Sequence, residues 1–171
     1  MRFAPLVPRG RPVLDVACGA GRHTRLFLGR GHPVTAVDID TGPIAALERY
    51  PGLEVLRADL EGGEPWPFSG RQFAGVVVTN YLWRPLFPHL VDALSPGGVL
   101  LYETFAAGHA AYGKPARPEF LLGPGELLDL VRGRLQVVAY EHGYVAEPRP
   151  SVRQRICATN SAEALELSPQ P

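Results

Sequence analysis

The stretch Val13-Leu-Asp-Val-Ala-Cys-Gly-Ala-Gly-Arg-His-Thr24 gives the clearest indication of how this chain folds. Its first five residues, Val13 to Ala17, form a mostly apolar run that is typical of a buried parallel strand. Gly19 and Gly21 follow and predict a tight turn, because glycine adopts positive φ and lets the backbone approach a ligand. A helix over Arg22 to Arg30 then begins, and its first N–H groups are free to bind that ligand. The stretch predicts a nucleotide-binding corner, with an ordinary α/β turn as the alternative.

Two glycine patterns can be compared with this turn. The dinucleotide pattern G-x-G-x-x-G needs a third glycine where the chain has Thr24. The other pattern, acidic-x-G-x-G-x-G, is matched here by Asp15, Ala17, Gly19 and Gly21, with alanine in place of the first glycine. The turn therefore resembles motif I of the class I S-adenosylmethionine-dependent methyltransferases, and the resemblance implies that these four residues bind that cofactor.

Composition limits the possible classes of protein. The 171 residues suffice for one α/β domain and are too few for two. With 17 basic and 17 acidic side chains the formal charge is zero, which argues against a nucleic-acid partner bound through its phosphates. Two cysteines are too few for a disulfide framework or a four-thiolate metal site. No apolar run has transmembrane length and no signal-peptide core is present, so we expect a cytoplasmic protein without a membrane partner.

An acidic residue ends the second predicted strand, Val34 to Asp38. The helix after the glycine turn supplies the crossover between the two strands. A carboxylate at this strand tip can accept hydrogen bonds from both ribose hydroxyls, so Asp38 is predicted to bind the cofactor together with its neighbour Ile39. The alternative is a solvated loop acid.

The third predicted strand, Leu53 to Arg57, leads into Ala58, Asp59 and Leu60. In the methyltransferase pattern an acid at this place bonds the adenine amino group, and the next apolar residue covers the ring. The resemblance therefore implies that Asp59 and Leu60 hold the adenine.

Asn80 and Tyr81 emerge at the carboxyl end of the fourth strand, Phe73 to Thr79, where open parallel sheets bind their ligands. Asn80 is predicted to contact the cofactor. Methyltransferases that act on nucleobase amino groups carry Asp/Asn-Pro-Pro-Tyr/Phe at this place. Here Tyr81 and Leu82 replace the two prolines, which weakens a nucleobase interpretation.

Two side chains are candidates for a catalytic role. Glu103 lies at the tip of the fifth predicted strand, Val99 to Thr104, and Tyr81 is the second candidate. Methyl transfer from a sulfonium is an in-line displacement, so the protein mainly positions the acceptor, and a general base is needed only if the acceptor loses a proton. The alternative for Glu103 is a structural acid that bonds loop backbone. His23, at the helix start, is expected to face solvent.

The stretch from Phe105 to Pro124 has no clear period, and it carries His109, Tyr112, Lys114 and Arg117. Loops of this length in compact domains are usually functional or disordered. We expect this loop to cover the acceptor side of the site.

The remaining elements complete an α/β domain. We expect helices over 44–50, 85–94 and 125–131, and a turn over 95–98 after the second of them. The last two strands are expected over 135–140 and 152–159. Residues 12–159 resemble a minimal class I methyltransferase of the small-molecule group that includes tellurite-resistance-like proteins. The resemblance implies one Rossmann-like domain over 1–160, with helices on both faces of a mostly parallel seven-stranded sheet of order 3-2-1-4-5-7-6, strand 7 antiparallel. A disordered tail is predicted over 161–171.

The predicted function is methyl transfer from S-adenosylmethionine to a small molecule, by a monomer or a homodimer. A non-catalytic module that binds S-adenosylmethionine or S-adenosylhomocysteine is the first alternative, and an NAD-dependent oxidoreductase is the second. Prolines and glycines interrupt the residues before the first strand, where related enzymes usually have a covering helix. We therefore expect an open cleft, micromolar or weaker cofactor affinity, and a longer natural chain in which Met1 is an internal start.

Overall fold

A seven-stranded sheet runs through residues 2–163, which are the residues that the computed structural model describes. Its strands are β1 (Val13–Val16), β2 (Val34–Asp38), β3 (Leu53–Arg57), β4 (Phe73–Thr79), β5 (Leu94–Phe105), β6 (Gln136–Val145) and β7 (Ser151–Thr159). The order is β3-β2-β1-β4-β5-β7-β6, and β7 is antiparallel to both of its neighbours. The predicted fold class and strand order are confirmed. Most of the predicted tail, residues 164–171, lies outside the described residues.

The strands β1 and β4 form the centre of the sheet and are buried along their length, apart from the half-buried last residue of β4. Their near-continuous apolar sequence suits this position, because both faces of a central parallel strand are covered. The register pairs Val13 with Val34 on one side and with Gly75 on the other. Parallel pairing brings the carboxyl ends of β1 to β5 to one edge, and the site residues lie there.

Short helices cover both faces, as predicted. They are α1 (Arg22–Leu28), α2 (Phe87–Asp92) and α3 (Glu126–Val131). Phe27 of α1 packs on the face that carries Val13 and Val77, whereas Leu90 of α2 and Leu127 of α3 pack on the opposite face. None of the helices in residues 2–163 has both the length and the apolar character needed to span a bilayer.

Several element boundaries differ from the predictions. α1 ends at Leu28 rather than Arg30, because Gly31 adopts a φ of +81° and the chain turns there. The helix expected over 44–50 is a 3-10 helix over Gly42–Leu47. The turn expected over 95–98 belongs to β5, where hydrogen bonds to Asn160 hold it at the end of the sheet.

The loop from Phe105 to Pro124 is ordered and closed at its neck. Leu122 N–H donates to the carbonyl of Phe105 at 3.0 Å, and Ala107 N–H donates to the carbonyl of Leu122 at 2.9 Å. The Arg84 guanidinium donates to the carbonyls of Glu119 and Leu121 from outside the loop. These bonds hold the loop beside the carboxyl edge of the sheet.

The N-terminal segment packs on the sheet. Ala4 and Val7 are buried with Val13 and Phe27 in the cluster on the α1 face. A 3-10 helix over Ala4–Leu6 has Pro5 in its first turn, where proline is tolerated. Residues 2–11 therefore complete a core face of this domain.

Candidate functional site

A cleft of about 540 Å³ opens at the carboxyl edge of the sheet, above β1 to β4. Its lining residues come from the ends of these four strands: Ala17, Asp38, Ile39, Ala58, Asp59, Leu60, Glu61, Asn80 and Tyr81. Six of the nine predicted cofactor residues line the cleft: Ala17, Asp38, Ile39, Asp59, Leu60 and Asn80. The other three, Asp15, Gly19 and Gly21, belong to the turn beside it. None of residues 2–11 contributes to this lining.

Asp15 fixes the turn to the following helix. Its side chain is buried, and one carboxylate oxygen accepts hydrogen bonds from Thr24 N–H at 2.8 Å and from Thr24 Oγ1 at 2.6 Å. Burial raises the pKa of Asp15 to about 6, although the bonds from Thr24 act in the opposite direction. The acidic position of the motif therefore orients the turn from behind, and a direct cofactor contact by Asp15 stays a prediction.

Three residues of the turn have positive φ, namely Ala17, Gly19 and Gly21. Ala17 has a φ of +52°, which explains why glycine is the residue expected there. A Cβ at Gly19 would meet no atom within 4 Å, so this side of the turn is open to a ligand. At Gly21 a Cβ would lie 2.7 Å from Leu47 Cδ1 and 2.8 Å from two side-chain atoms of Ile44. Gly19 and Gly21 thus have different roles: Gly19 faces open space and Gly21 permits close packing.

The Asp38 carboxylate is held at the rim of the cleft. One oxygen accepts Gly19 N–H at 2.8 Å and the other accepts Asp40 N–H at 3.1 Å. An ionised carboxylate has about four acceptor positions, so both oxygens can accept a further hydroxyl. Ile39 beside it is 58% exposed, and its carbonyl accepts Arg57 Nε–H at 3.1 Å. Asp38 is therefore held in one orientation with acceptor positions left for a ligand, and its contact with the ribose stays a prediction.

Asp59, after β3, and Tyr81, after β4, also line the cleft. Asp59 accepts Glu61 N–H at 2.9 Å. The Tyr81 hydroxyl is buried, and although the Glu61 carboxylate lies nearby, no acceptor in residues 2–163 meets it in hydrogen-bond geometry. Burial raises the pKa of Tyr81, and the negative charges of Glu61, Asp59 and Asp38 raise it further. A phenol that stays protonated can donate a hydrogen bond to a ligand but cannot take up a proton.

Glu103 lies next to the cleft but does not line it. Its two oxygens accept hydrogen bonds from Arg153 Nη1 and Arg155 Nε, both at 2.9 Å. The partners of this acid are thus two guanidinium groups of β7. The pairing holds Glu103 at the end of β5, and its catalytic role stays a prediction.

The two cysteines of the chain are buried and unpaired. Burial raises the pKa of both the Cys18 and the Cys157 thiols to about 12, and the charges of Asp15 and Asp38 add to the effect at Cys18. Both thiols are therefore protonated at neutral pH, and neither is an activated nucleophile. Among residues 2–163 no group of three or more His, Cys, Asp or Glu side chains is arranged to hold a metal ion.

His23 is buried, so the expectation that it faces solvent is wrong. α1 directs its second residue towards the end of β4, where His23 Nδ1 lies 3.2 Å from Thr79 Oγ1. Burial lowers the pKa of His23 to about 4. A helix of seven residues is too short for its hydrophobic periodicity to show that His23 points inward.

The buried imidazole makes folding stability depend on pH. Between pH 4 and 6.5 His23 binds a proton in the unfolded chain but not in the folded chain. The contribution of His23 to the free energy of unfolding therefore rises with pH in this window and is constant above it. Asp15 has the opposite dependence, because its raised pKa lets the folded chain hold a proton between pH 3.8 and about 6. We expect the stability difference between wild type and His23→Gln to be about 2 kcal/mol smaller at pH 5 than at pH 7.

Urea unfolding of the two proteins at both pH values measures this change. The Asp15 contribution cancels in the comparison, because both proteins contain Asp15. A difference that is the same at pH 5 and pH 7 would contradict the buried, neutral state of His23.

A family model described as "Methyltransferase domain" matches residues 13–98, about half of the chain. This segment contains β1 to β4, the glycine turn and every residue that lines the cleft.

Related proteins extend the likeness. "Trans-aconitate 2-methyltransferase" of Rhizobium meliloti is 40% identical over 106 residues, which are 58% of this chain and 40% of that protein. "Malonyl-[acyl-carrier protein] O-methyltransferase" of Serratia marcescens is 32% identical over 152 residues, covering 82% of this chain and 57% of that protein. The chain thus spans about two fifths to three fifths of the length of these relatives.

The fold is also that of a solved structure, the Burkholderia thailandensis 1,6-didemethyltoxoflavin-N1-methyltransferase with bound 1,6-didemethyltoxoflavin and S-adenosylhomocysteine. The two agree with a TM-score of 0.68 at 21% identity, over 94% of this chain and 75% of that one. The strand order, the glycine turn and the family match agree, and the chain belongs to the methyltransferase domain family, with the class I fold.

Proposed function

We propose that this chain binds S-adenosylmethionine in the 540 Å³ cleft and transfers its methyl group to a small molecule. The observation that carries the proposal is the convergence of Asp38, Asp59, Leu60 and Asn80, from the ends of three strands, on one cleft beside the glycine turn. The volume lies within the range of small-molecule sites. When bound, the cofactor supplies a methyl group that its sulfonium has already activated.

The residues of the cleft have separate roles in this proposal. Asp38 accepts the two ribose hydroxyls, Asp59 accepts the adenine amino group, and Leu60 packs against the adenine ring. The open side of Gly19 lets the backbone approach the cofactor. The unpartnered hydroxyl of Tyr81 supports the fit, because a buried donor without a partner in the protein can be satisfied by a polar ligand.

The acceptor side requires positioning more than proton transfer. An in-line displacement needs the acceptor atom behind the methyl carbon, and the edge formed by Asn80 and Glu103 is the part of the site that can hold it. The named relatives act on trans-aconitate and on malonyl-acyl carrier protein, so these two compounds are the first acceptors to test. We also propose that the protein acts in the cytoplasm as a monomer or a homodimer.

A methyl-transfer assay with labelled S-adenosylmethionine tests the activity. Wild-type protein should transfer label to at least one small molecule from a metabolite extract, and S-adenosylhomocysteine should form in equal amount. Tight cofactor binding without transfer to any acceptor would favour the non-catalytic binding module instead. The oxidoreductase alternative has no support from the family match.

Shortening the 105–124 loop tests its role as a cover over the acceptor. The exposed segment 111–117 would be replaced by Gly-Ser-Gly, which leaves the Phe105–Leu122 neck and the Arg84 contacts intact. We expect cofactor affinity to stay within about twofold, since no loop residue lines the cleft, and turnover to fall by about tenfold or more. Calorimetry and the label assay measure the two quantities. Unchanged turnover contradicts a covering role, and loss of folding shows that the segment is core structure.

A further inference from the structure

The guanidinium of Arg153 lies between the cleft and β7. Its Nη1 donates to Asn80 Oδ1 at 2.7 Å and to Glu103 Oε1 at 2.9 Å, and its Nε donates to Ser151 Oγ at 3.0 Å. Its central carbon lies 4.3 Å from the centre of the Phe105 ring. Four contacts therefore fix the orientation of this group next to Asn80, which lines the cofactor cleft.

One side of this guanidinium has no protein partner. A guanidinium carries five N–H donors, and the three hydrogen bonds use those of Nε and Nη1. The two donors of Nη2 bond no side chain or carbonyl within residues 2–163. The Arg153 side chain is 17% exposed and lines a hollow of 240 Å³ at the end of the β6–β7 pair, which is separate from the cofactor cleft, so the side chain is in part open to a ligand. Two charged donors are thus available in a fixed position.

The ion pairs around Arg153 leave an excess of positive charge. Glu103 bridges Arg153 and Arg155, Arg155 also pairs with Glu141, and Glu141 pairs with Arg2. Three guanidinium groups share two carboxylates in this network. The network therefore carries a net charge of +1, and its Arg153 end contacts Asn80 at the cleft.

The opposite side of the site is acidic. Asp38, Asp59 and Glu61 line the cleft, and Asn80 separates them from Arg153. A positively charged sulfonium is favoured beside such acids, whereas an anionic acceptor is repelled by them and attracted by the guanidinium. The charge distribution thus assigns the cation to the cleft and an anion to the β7 side.

We propose that Arg153 binds a carboxylate of the methyl acceptor, and that Glu103 is a positioning residue for Arg153. This inference rests on the proposed function and names its substrate class. A lone pair of the carboxylate oxygen forms the new bond to the methyl carbon. The sulfur–carbon bond breaks at the same time and its electron pair remains on sulfur, which becomes a neutral thioether. The product is a methyl ester, and because no proton moves, Glu103 serves without acting as a base.

The experiment compares acids with their neutral counterparts. Wild type, Arg153→Gln, Arg153→Lys and the matched surface control Arg132→Gln are assayed with labelled cofactor against di- and tricarboxylic acids and their primary amides. Arg132 is exposed, and within residues 2–163 its one ion pair is with Asp129 of α3. Wild type and the control should methylate at least one acid and none of the amides. Arg153→Gln should lower kcat/KM for that acid about 10- to 100-fold, with S-adenosylhomocysteine affinity unchanged within about threefold.

Arg153→Lys keeps the positive charge but loses the planar, two-pronged geometry of the guanidinium, so it should retain part of the activity. Partial activity of this variant shows that the protein folds with another residue at position 153, so that the loss in Arg153→Gln is not caused by misfolding. The inference is overturned if Arg153→Gln keeps full kcat/KM on acids, or if wild type methylates only neutral compounds or none of the acids. In those cases the proposed function still stands when label reaches another acceptor. Failure of wild type to bind S-adenosylhomocysteine would instead remove the proposed function itself.

Discussion

Gly21→Ala should destabilise the fold by about 2–4 kcal/mol. The added methyl group would lie 2.7 Å from Leu47 Cδ1 and 2.8 Å from two side-chain atoms of Ile44. Both side chains are buried against the sheet, so they have little room to move. The φ of +73° at this residue adds strain for any residue with a Cβ. Urea unfolding measures the loss as a lower transition midpoint at unchanged slope.

Gly19→Ala is the matched control for this change. Gly19 lies two residues earlier in the same turn with a φ of +52°, but a Cβ there would meet no atom within 4 Å. Gly19→Ala should therefore destabilise the fold only through the strained backbone conformation, by about 1 kcal/mol. Equal destabilisation by the two variants would contradict the packing role of Gly21.

Asp38→Ala should weaken binding of S-adenosylhomocysteine by about 1.5–3 kcal/mol, or roughly 10- to 150-fold. The variant removes the carboxylate that is proposed to accept the ribose hydroxyls, and it also frees Gly19 N–H, which Asp38 accepts at 2.8 Å. Asp38→Asn keeps one oxygen acceptor, so it should lose less. Calorimetric titration of each variant gives the affinities.

Asp40→Ala is the control, because this acid lies two residues further on, accepts Gly42 N–H and does not line the cleft. Its affinity for the cofactor product should match that of wild type within about twofold. Unchanged affinity of Asp38→Ala, or an equal loss in Asp40→Ala, would contradict the assignment of Asp38 to the ribose.

The parallel half of the sheet could be predicted closely from the sequence. β2, β3 and β4 have the predicted bounds, because their apolar runs are bordered by turn residues and charged residues. Since parallel strands end at one edge, the residues after them were also expected to converge, and most of them line one cleft. Local sequence determines the bounds of these strands and the residues that follow them, so both can be predicted without knowledge of distant contacts.

Features that depend on distant contacts could not be predicted. The bond between Arg153 and Glu103 joins residues 50 positions apart, and it exists because β7 returns antiparallel to β5. Likewise the 95–98 turn is part of β5 through its bonds to Asn160. The inward direction of His23 goes with the contact between its imidazole and Thr79 at the end of β4. In each case the tertiary arrangement decides the role of a residue whose neighbours in sequence give no signal.

Calorimetric titration of the wild-type chain with S-adenosylhomocysteine and, separately, with NADH tests the assignment of the cofactor. Asp38, Asp59 and Leu60 around the cleft, and the missing third glycine at Thr24, favour the first ligand. We expect saturable one-to-one binding of S-adenosylhomocysteine with a Kd in the micromolar range, about −8 kcal/mol or weaker, and no saturable heat with NADH. NADH binding as tight as or tighter than S-adenosylhomocysteine binding, or no binding of S-adenosylhomocysteine by the folded protein, would contradict the proposal that the cleft binds S-adenosylmethionine.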